Sequence, residues 1–191
     1  LKEVKKSSKK VYECSFMSLY EDDVMLPSGR TSERIYLKHP GGAAMLATTQ
    51  DDKIILIKQF RYPLDEIIYE IPAGKMDVDE ESFMACAIRE LEEETTYRSD
   101  HISFLYELYP CVGYSDEKIQ IFRAKHAYKV EDPLAKDLDE NIDVYLFTKD
   151  QTRDLMLKNE IKDGKTLIAI QYWLNEKWLY IKTFIFSLAG V

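Results

Sequence analysis

Cysteine is scarce: Cys14, Cys86 and Cys111 are the three among 191 residues. Their wide spacing argues against a disulfide scaffold or a thiolate metal site and suits a reducing compartment. Histidine is as rare, and His39, His101 and His126 share no ligand-like spacing. Neither a zinc site nor a histidine nucleophile is indicated. Glycine-rich phosphate loops of the P-loop or dinucleotide-binding kind are absent. No run of Lys and Arg makes a nucleic-acid track, and a net charge of −8 opposes one. The lysines among residues 2–10 read as a solvated tail. Residues 1–6 lack the apolar stretch of a signal peptide. The apolar stretch 183–191 is too short to span a bilayer and reads as a packed segment or an oligomer contact. The expectation is a cytoplasmic protein that binds neither nucleic acid nor membrane.

What is present fits one sizeable core, since 46% of residues are hydrophobic and 31% charged. Residues 11–20 and 31–38 have strand period about the turn Leu26-Pro27-Ser28-Gly29, predicting a hairpin or flap. Residues 43–49 and 53–60 predict an antiparallel pair about Asp51-Asp52. Residues 67–71 predict a short strand ended by Pro72, after which Gly74 relaxes the backbone. A helix is expected over 81–95, with Met84, Ile88 and Leu91 as its apolar stripe and Cys86 packed inside. Strands follow at 101–109 and 117–125 around a loop at 109–117. An acidic stretch at 130–141 then leads to a strand at 142–147. Helices at 150–158 and 165–177 close the pattern, with Trp173 and Trp178 as anchors. Strands with interspersed helices imply a mixed sheet, either α+β or a layered α/β/α arrangement. Residues 1–38 would be a β extension on a main domain of residues 39–191.

The most informative stretch is the acidic end of the first helix, Arg89-Glu90-Leu91-Glu92-Glu93-Glu94. On an α-helix Glu90 and Glu94 project about 40° apart, with Glu93 beside them. Three adjacent carboxylates repel one another and call for a counterion. A solvated acidic face is the plain reading. A hard, oxygen-coordinated divalent cation is the sharper one, above all if the substrate brings phosphates.

With Gly74, Glu81, Arg89-Glu90, Leu91 and Glu93-Glu94 in this order, the chain resembles the Nudix hydrolase superfamily. Six residues separate Gly74 from Glu81 where the family pattern has five, and Thr96 stands where it has glycine. Glycine ends a helix in the left-handed conformation without strain, so at Thr96 either the helix ends differently or it bears about 1 kcal/mol of strain. The flanking runs Ile57-Lys58-Gln59-Phe60-Arg61-Tyr62 and Tyr69-Glu70-Ile71-Pro72-Ala73-Gly74 are similar to those of ADP-ribose pyrophosphatases and other ADP-sugar hydrolases. Ser115-Asp116-Glu117 and Asp139-Glu140-Asn141 add to that likeness.

The resemblance implies a Nudix-like α/β/α sandwich with a mixed central sheet. It implies Mg²⁺, or Mn²⁺ in its place, held by Glu90, Glu94 and the Ala73 carbonyl, with Glu93 assisting. Gly74 and Glu81 would support the loop, and Arg89 would orient the glutamates. Glu140 or its rival Glu117 would accept the proton of the attacking water. Arg61 would contact phosphate, Glu70 would lie near substrate or metal, and Arg34 and Glu33 would contact adenosine or the terminal ribose. Tyr12 or Phe16 would stack on adenine from a partner subunit of a homodimer, or pack as core aromatics. The implied reaction is hydrolysis of ADP-ribose or a related ADP-sugar to AMP and a sugar phosphate. The alternatives are a hydrolase of another nucleotide sugar or dinucleotide, or an inactive nucleotide-binding module.

Overall fold

Ala43, Met45 and Ala47 face one buried cluster while Ala44 and Leu46 face another, the period-two alternation of a strand covered on both sides. The computed structural model that shows this describes residues 1–136 and 141–188, with side chains through Glu176. Three strands come first, β1 (Val4–Glu13), β2 (Ser18–Met25) and β3 (Thr31–Lys38). They form a separate antiparallel sheet in the order β1-β2-β3. Then follow β4 (Gly42–Thr49), β5 (Ile54–Arg61), β6 (Glu66–Glu70), β7 (Ala73–Lys75) and α1 (Phe83–Thr95). The chain continues through β8 (Tyr97–Arg98), β9 (His101–Leu108), β10 (Ile119–Lys129), β11 (Ile142–Phe147), α2 (Lys149–Leu157) and α3 (Gly164–Leu188).

Among the described residues the main sheet runs β11-β5-β4-β10-β8, with β6 on β5, β7 on β4 and β9 on β10. The β4–β10 pair is parallel and the other pairs antiparallel, so the sheet is mixed. Cys86, Ala87 and Leu91 of α1 join the cluster on one face, and Ala169, Ile170 and Trp173 of α3 the cluster on the other. The arrangement is therefore the layered α/β/α sandwich. Each fully buried Ile or Leu in these layers stabilises it by about 1.5–3 kcal/mol. Trp173 also donates its indole N–H to Asp52 at 2.9 Å, which ties α3 to the β4–β5 turn. Among the described residues no helix is long and apolar enough to cross a membrane.

Four expectations are corrected. The lysine-rich start is strand β1, not a tail; its residues are all exposed and its backbone pairs with β2 from Val4 to Glu13. Helix α1 starts at Phe83 because Ser82 caps it, its hydroxyl accepting from the Ala85 N–H at 3.1 Å. Met84 and Ile88 are exposed on α1; the inward face carries Cys86, Ala87, Glu90, Leu91 and Glu94. Helix α3 runs on to Leu188, since no Gly or Pro interrupts residues 165–188. Trp178 and the side chains of 183–191 lie outside the described residues.

Candidate active site

Helix α1 and the short strand β7 meet through a glycine. Gly74 pairs with Ala43 across β4, and a Cβ built on it would sit 1.8 Å from Glu90 Oε1 and 2.0 Å from Glu90 Cδ. Its φ is not in the left-handed region. Glycine is required here by the close approach of a carboxylate, not by backbone freedom. Next to it, the Ala73 N–H donates to Glu94 Oε2 at 2.9 Å. Glu94 is 1% exposed and Glu90 9%, so the box glutamates press against the Ala73-Gly74 backbone and not against solvent.

Arg89 is the counterion that such a cluster demands. Its Nη1 donates to Glu90 Oε1 and to Glu93 Oε2, both at 2.8 Å. Its Nε and Nη2 form a fork on Glu81 at 3.0 and 3.1 Å. Glu81 first, then Glu90 and Glu93, hold its guanidinium protonated well above the ordinary arginine value. The extra residue between Gly74 and Glu81 is absorbed in a turn where the Glu81 N–H reaches the Val78 carbonyl at 3.2 Å. Glu80 there adopts a φ of 62°, so Glu81 still reaches Arg89. At the other end Thr96 takes the left-handed conformation, φ 67°, and its N–H donates to the Glu92 carbonyl at 2.8 Å. Threonine thus adopts the glycine geometry with its strain.

Cys86 lies under this loop. Its thiol is within 3.4 Å of the Lys75 carbonyl, and burial, aided by Glu90, pushes its pKa up to about 12. It is a packing residue, as expected.

Arg61, at the end of β5, forks onto Glu70 of β6 with Nε at 2.5 Å and Nη2 at 2.8 Å. Glu70 is 2% exposed, and Lys165 of α3 also donates to it. Burial opposes ionisation of Glu70, but the pairing with Arg61 and Lys165 outweighs it, so its pKa falls below the usual carboxylate value. Glu94 adds to the field that keeps Arg61 protonated, which places Arg61 in the neighbourhood of the box carboxylates.

Glu117 lies outside the box, beside His39, with Oε1 3.7 Å from Nδ1. Its backbone N–H is taken by the Ser115 hydroxyl. Glu140 falls outside the described residues. Arg34 and Glu33 belong to β3, and Arg34's polar contacts, with Glu3, Ser32 and the Glu33 carbonyl, stay in the N-terminal sheet. Within one chain these two are not brought to the box. Tyr12 is exposed on β1. Phe16 meets His39 edge-on at 5.7 Å and lies 4.8 Å below Lys75 Nζ, lining a cavity of about 430 Å³ with Cys14, Lys38 and Asp116.

Two buried charged pairings escaped the sequence reading, those of Lys165 and Glu92. Glu92 turns away from the box carboxylates, pairs with Arg98 and accepts the Leu134 N–H at 3.0 Å.

The side-chain donors gathered at Gly74 are the carboxylates of Glu90 and Glu94, a chemistry that suits a hard divalent cation. The space over Gly74 that a Cβ would fill is taken by the Glu90 carboxylate, and the Ala73 N–H holds the Glu94 carboxylate beside it. Among the described residues no three acidic, histidine or cysteine side chains are grouped so as to hold a metal ion; Glu81, Glu90 and Glu93 gather on Arg89 instead.

The NUDIX domain profile matches residues 38–170, and the chain belongs to the Nudix hydrolase family. It is 39% identical over 166 residues to the ADP-ribose pyrophosphatase of Bacillus subtilis, covering 87% of this chain and 89% of that one. It is 38% identical over 165 residues to the methanol dehydrogenase activator of Bacillus methanolicus, covering 86% and 89%. A solved structure titled as an ADP compounds hydrolase superposes with a TM-score of 0.78 over 95% of this chain and 96% of that chain, at 20% identity. That last likeness supports the fold. Nudix hydrolases generally use divalent metal ions.

Proposed function

We propose that the chain hydrolyses the diphosphate of ADP-ribose or a related ADP-sugar with Mg²⁺, or Mn²⁺ in its place, releasing AMP and a sugar phosphate. One observation carries this reading: the buried carboxylates of Glu90 and Glu94 are set against the Ala73-Gly74 backbone. The 39% identity to a protein named for that reaction supports the substrate.

The Ala73 carbonyl, Glu90 and Glu94 would hold the metal, with Glu93 assisting. When bound, Mg²⁺ supplies charge neutralisation of the diphosphate and a lowered pKa for the attacking water. Arg61 presents a planar fork that matches a phosphate edge. Arg89 keeps the glutamates from splaying, and Glu81 keeps Arg89 in place. The oxygen of water adds to one phosphorus, its proton passes to Glu140 or Glu117, and the bond to the other phosphate's bridging oxygen breaks. Tyr12 or Phe16 of a partner subunit would stack on the adenine. We read the protein as a cytoplasmic homodimer, a reading supported by its three free cysteines and by the exposed strand β1.

A second reading follows from the near-equal identity to the methanol dehydrogenase activator: the same hydrolytic site acts in support of a dehydrogenase. Adding the protein to methanol dehydrogenase and following its rate tests that reading directly.

The substrate is tested by incubating the protein with ADP-ribose or GDP-mannose, with Mg²⁺ or EDTA, and measuring nucleotide release. AMP from ADP-ribose, abolished by EDTA, is expected. Cleavage of GDP-mannose alone would move the substrate class, and cleavage of neither would leave a binding module.

A further inference from the structure

Two cations share one buried carboxylate. Arg61 holds Glu70 from β5 by a two-point fork, and Lys165 reaches the same carboxylate from the first turn of α3, 95 residues along the chain. Lys165 is itself fixed: Asp163 Oδ2 stands 3.1 Å from its Nζ. The same Asp163 oxygen accepts the Thr166 N–H at 2.9 Å and its hydroxyl at 2.5 Å. The Thr166 hydroxyl oxygen in turn accepts the Ile71 N–H at 2.9 Å. The start of α3 is thereby bolted to the end of β6, two residues before Ala73.

The three charged groups differ in exposure. The side chains of Glu70 and Lys165 are 2% and 9% exposed, that of Arg61 40%. Arg61 is the member free to turn toward solvent and a ligand. The Nε–Nη2 edge that binds Glu70 is one that a phosphate would also take. If Arg61 turned with no other cation present, a buried carboxylate would be left unpaired, which is strongly unfavourable.

We propose that Lys165 is a positioning residue: it keeps Glu70 paired from the α3 side while Arg61 exchanges Glu70 for the substrate's diphosphate. The proposal rests on the reading above in which Arg61 meets that diphosphate. Lys165 acts through Glu70 and makes no contact with the reacting atoms.

The test is a double-mutant cycle on Lys165 and Glu70, read by ADP binding at equilibrium in the presence of Mg²⁺ and by KM and kcat for ADP-ribose. Lys165→Met should weaken ADP binding and raise KM by roughly ten- to a hundredfold, the range of a lost hydrogen bond to a charged group. Its kcat should change little, and Lys165→Arg should recover most of the binding. In a Glu70→Gln background, where no buried anion needs a partner, Lys165→Met should change ADP binding less than about threefold. An undiminished penalty in that background would show Lys165 touching the ligand itself and overturn the proposal. Wild-type binding in Lys165→Met would overturn it as well. Should Lys165→Met fail to fold, Lys165→Gln takes its place in the cycle. If the wild-type protein binds ADP but leaves ADP-ribose intact, the hydrolase reading fails while the binding cycle still decides the role of Lys165. If it binds no ADP, both fall.

Discussion

Glu90 Oε1 occupies the position that a side chain on Gly74 would need, 1.8 Å from the Cβ that any other residue would carry there. Gly74→Ala must therefore displace the Glu90 carboxylate. The clashing atoms are the end of a flexible side chain, so the fold should persist and the melting temperature should change little. Activity should fall by roughly a hundredfold, the effect of misplacing a reacting group by about 1 Å. Wild-type kcat/KM in this variant would show that Glu90 does not work from this position.

Thr96 holds a left-handed conformation as a β-branched residue. Thr96→Gly should remove about 1 kcal/mol of backbone strain, offset in part by the flexibility of glycine in the unfolded chain. The gain should appear as a melting temperature higher by about 2–4 °C. A lower melting temperature would mean that the threonine side chain contributes more than its strain removes.

Arg89 pairs with Glu81, Glu90 and Glu93 at once. Arg89→Met should lower stability by about 1.5–3 kcal/mol in EDTA, and Mg²⁺ should restore more stability to the variant than it adds to the wild type. Melting curves with and without Mg²⁺ decide this. Equal losses in both conditions would mean that cation and arginine do not share a task.

Glu92 has its pKa lowered, chiefly by Arg98 and with help from the Leu134 N–H, against the cost of burial. A depressed folded-state pKa adds stability above the unfolded value, near 4.3, and that stability is lost as pH falls through the folded value. Glu92→Gln should therefore flatten the decline of stability below about pH 4.3 and leave Mg²⁺-dependent activity at neutral pH in place. Denaturant midpoints from pH 7 to 3 measure it, and an unchanged acid slope would remove Glu92 as a source of it.

Cys86 is fully buried with its thiol pKa pushed up to about 12 by burial. In the folded protein a thiol reagent at neutral pH should label Cys14 and Cys111 and spare Cys86. Peptide mapping after brief labelling checks this, and rapid modification of Cys86 would mean that the loop over it opens readily.

Local spacing carried much of this structure. The β4–β5 hairpin shows in its isoleucines and the Asp51-Asp52 turn, and Arg89 lies four residues before Glu93, so their pairing is an ordinary helical neighbour contact. Contacts made at long range left no such trace. Lys165 meets Glu70 across 95 residues, and although Glu70 stands in the Tyr69–Gly74 run, no period or motif marks Lys165 as its partner. Met84 and Ile88 read as an inward stripe because they are apolar, yet α1 approaches the sheet closely with Cys86 and Ala87 and turns its glutamates inward. Strand β1 was illegible for the opposite reason. It buries no face, and pairing with β2 and bonds such as Ser7 to Asp23 hold it instead.

The most direct measurement is the initial rate of AMP release from ADP-ribose at saturating Mg²⁺ for the wild-type protein and for Glu94→Gln, each with its melting curve. Glutamine keeps the shape and an acceptor for the Ala73 N–H while removing the charge. A rate lower by on the order of a hundredfold or more, with the melting temperature retained, is the expected result. An equal rate in both proteins would mean that the hydrolytic centre is not at this carboxylate.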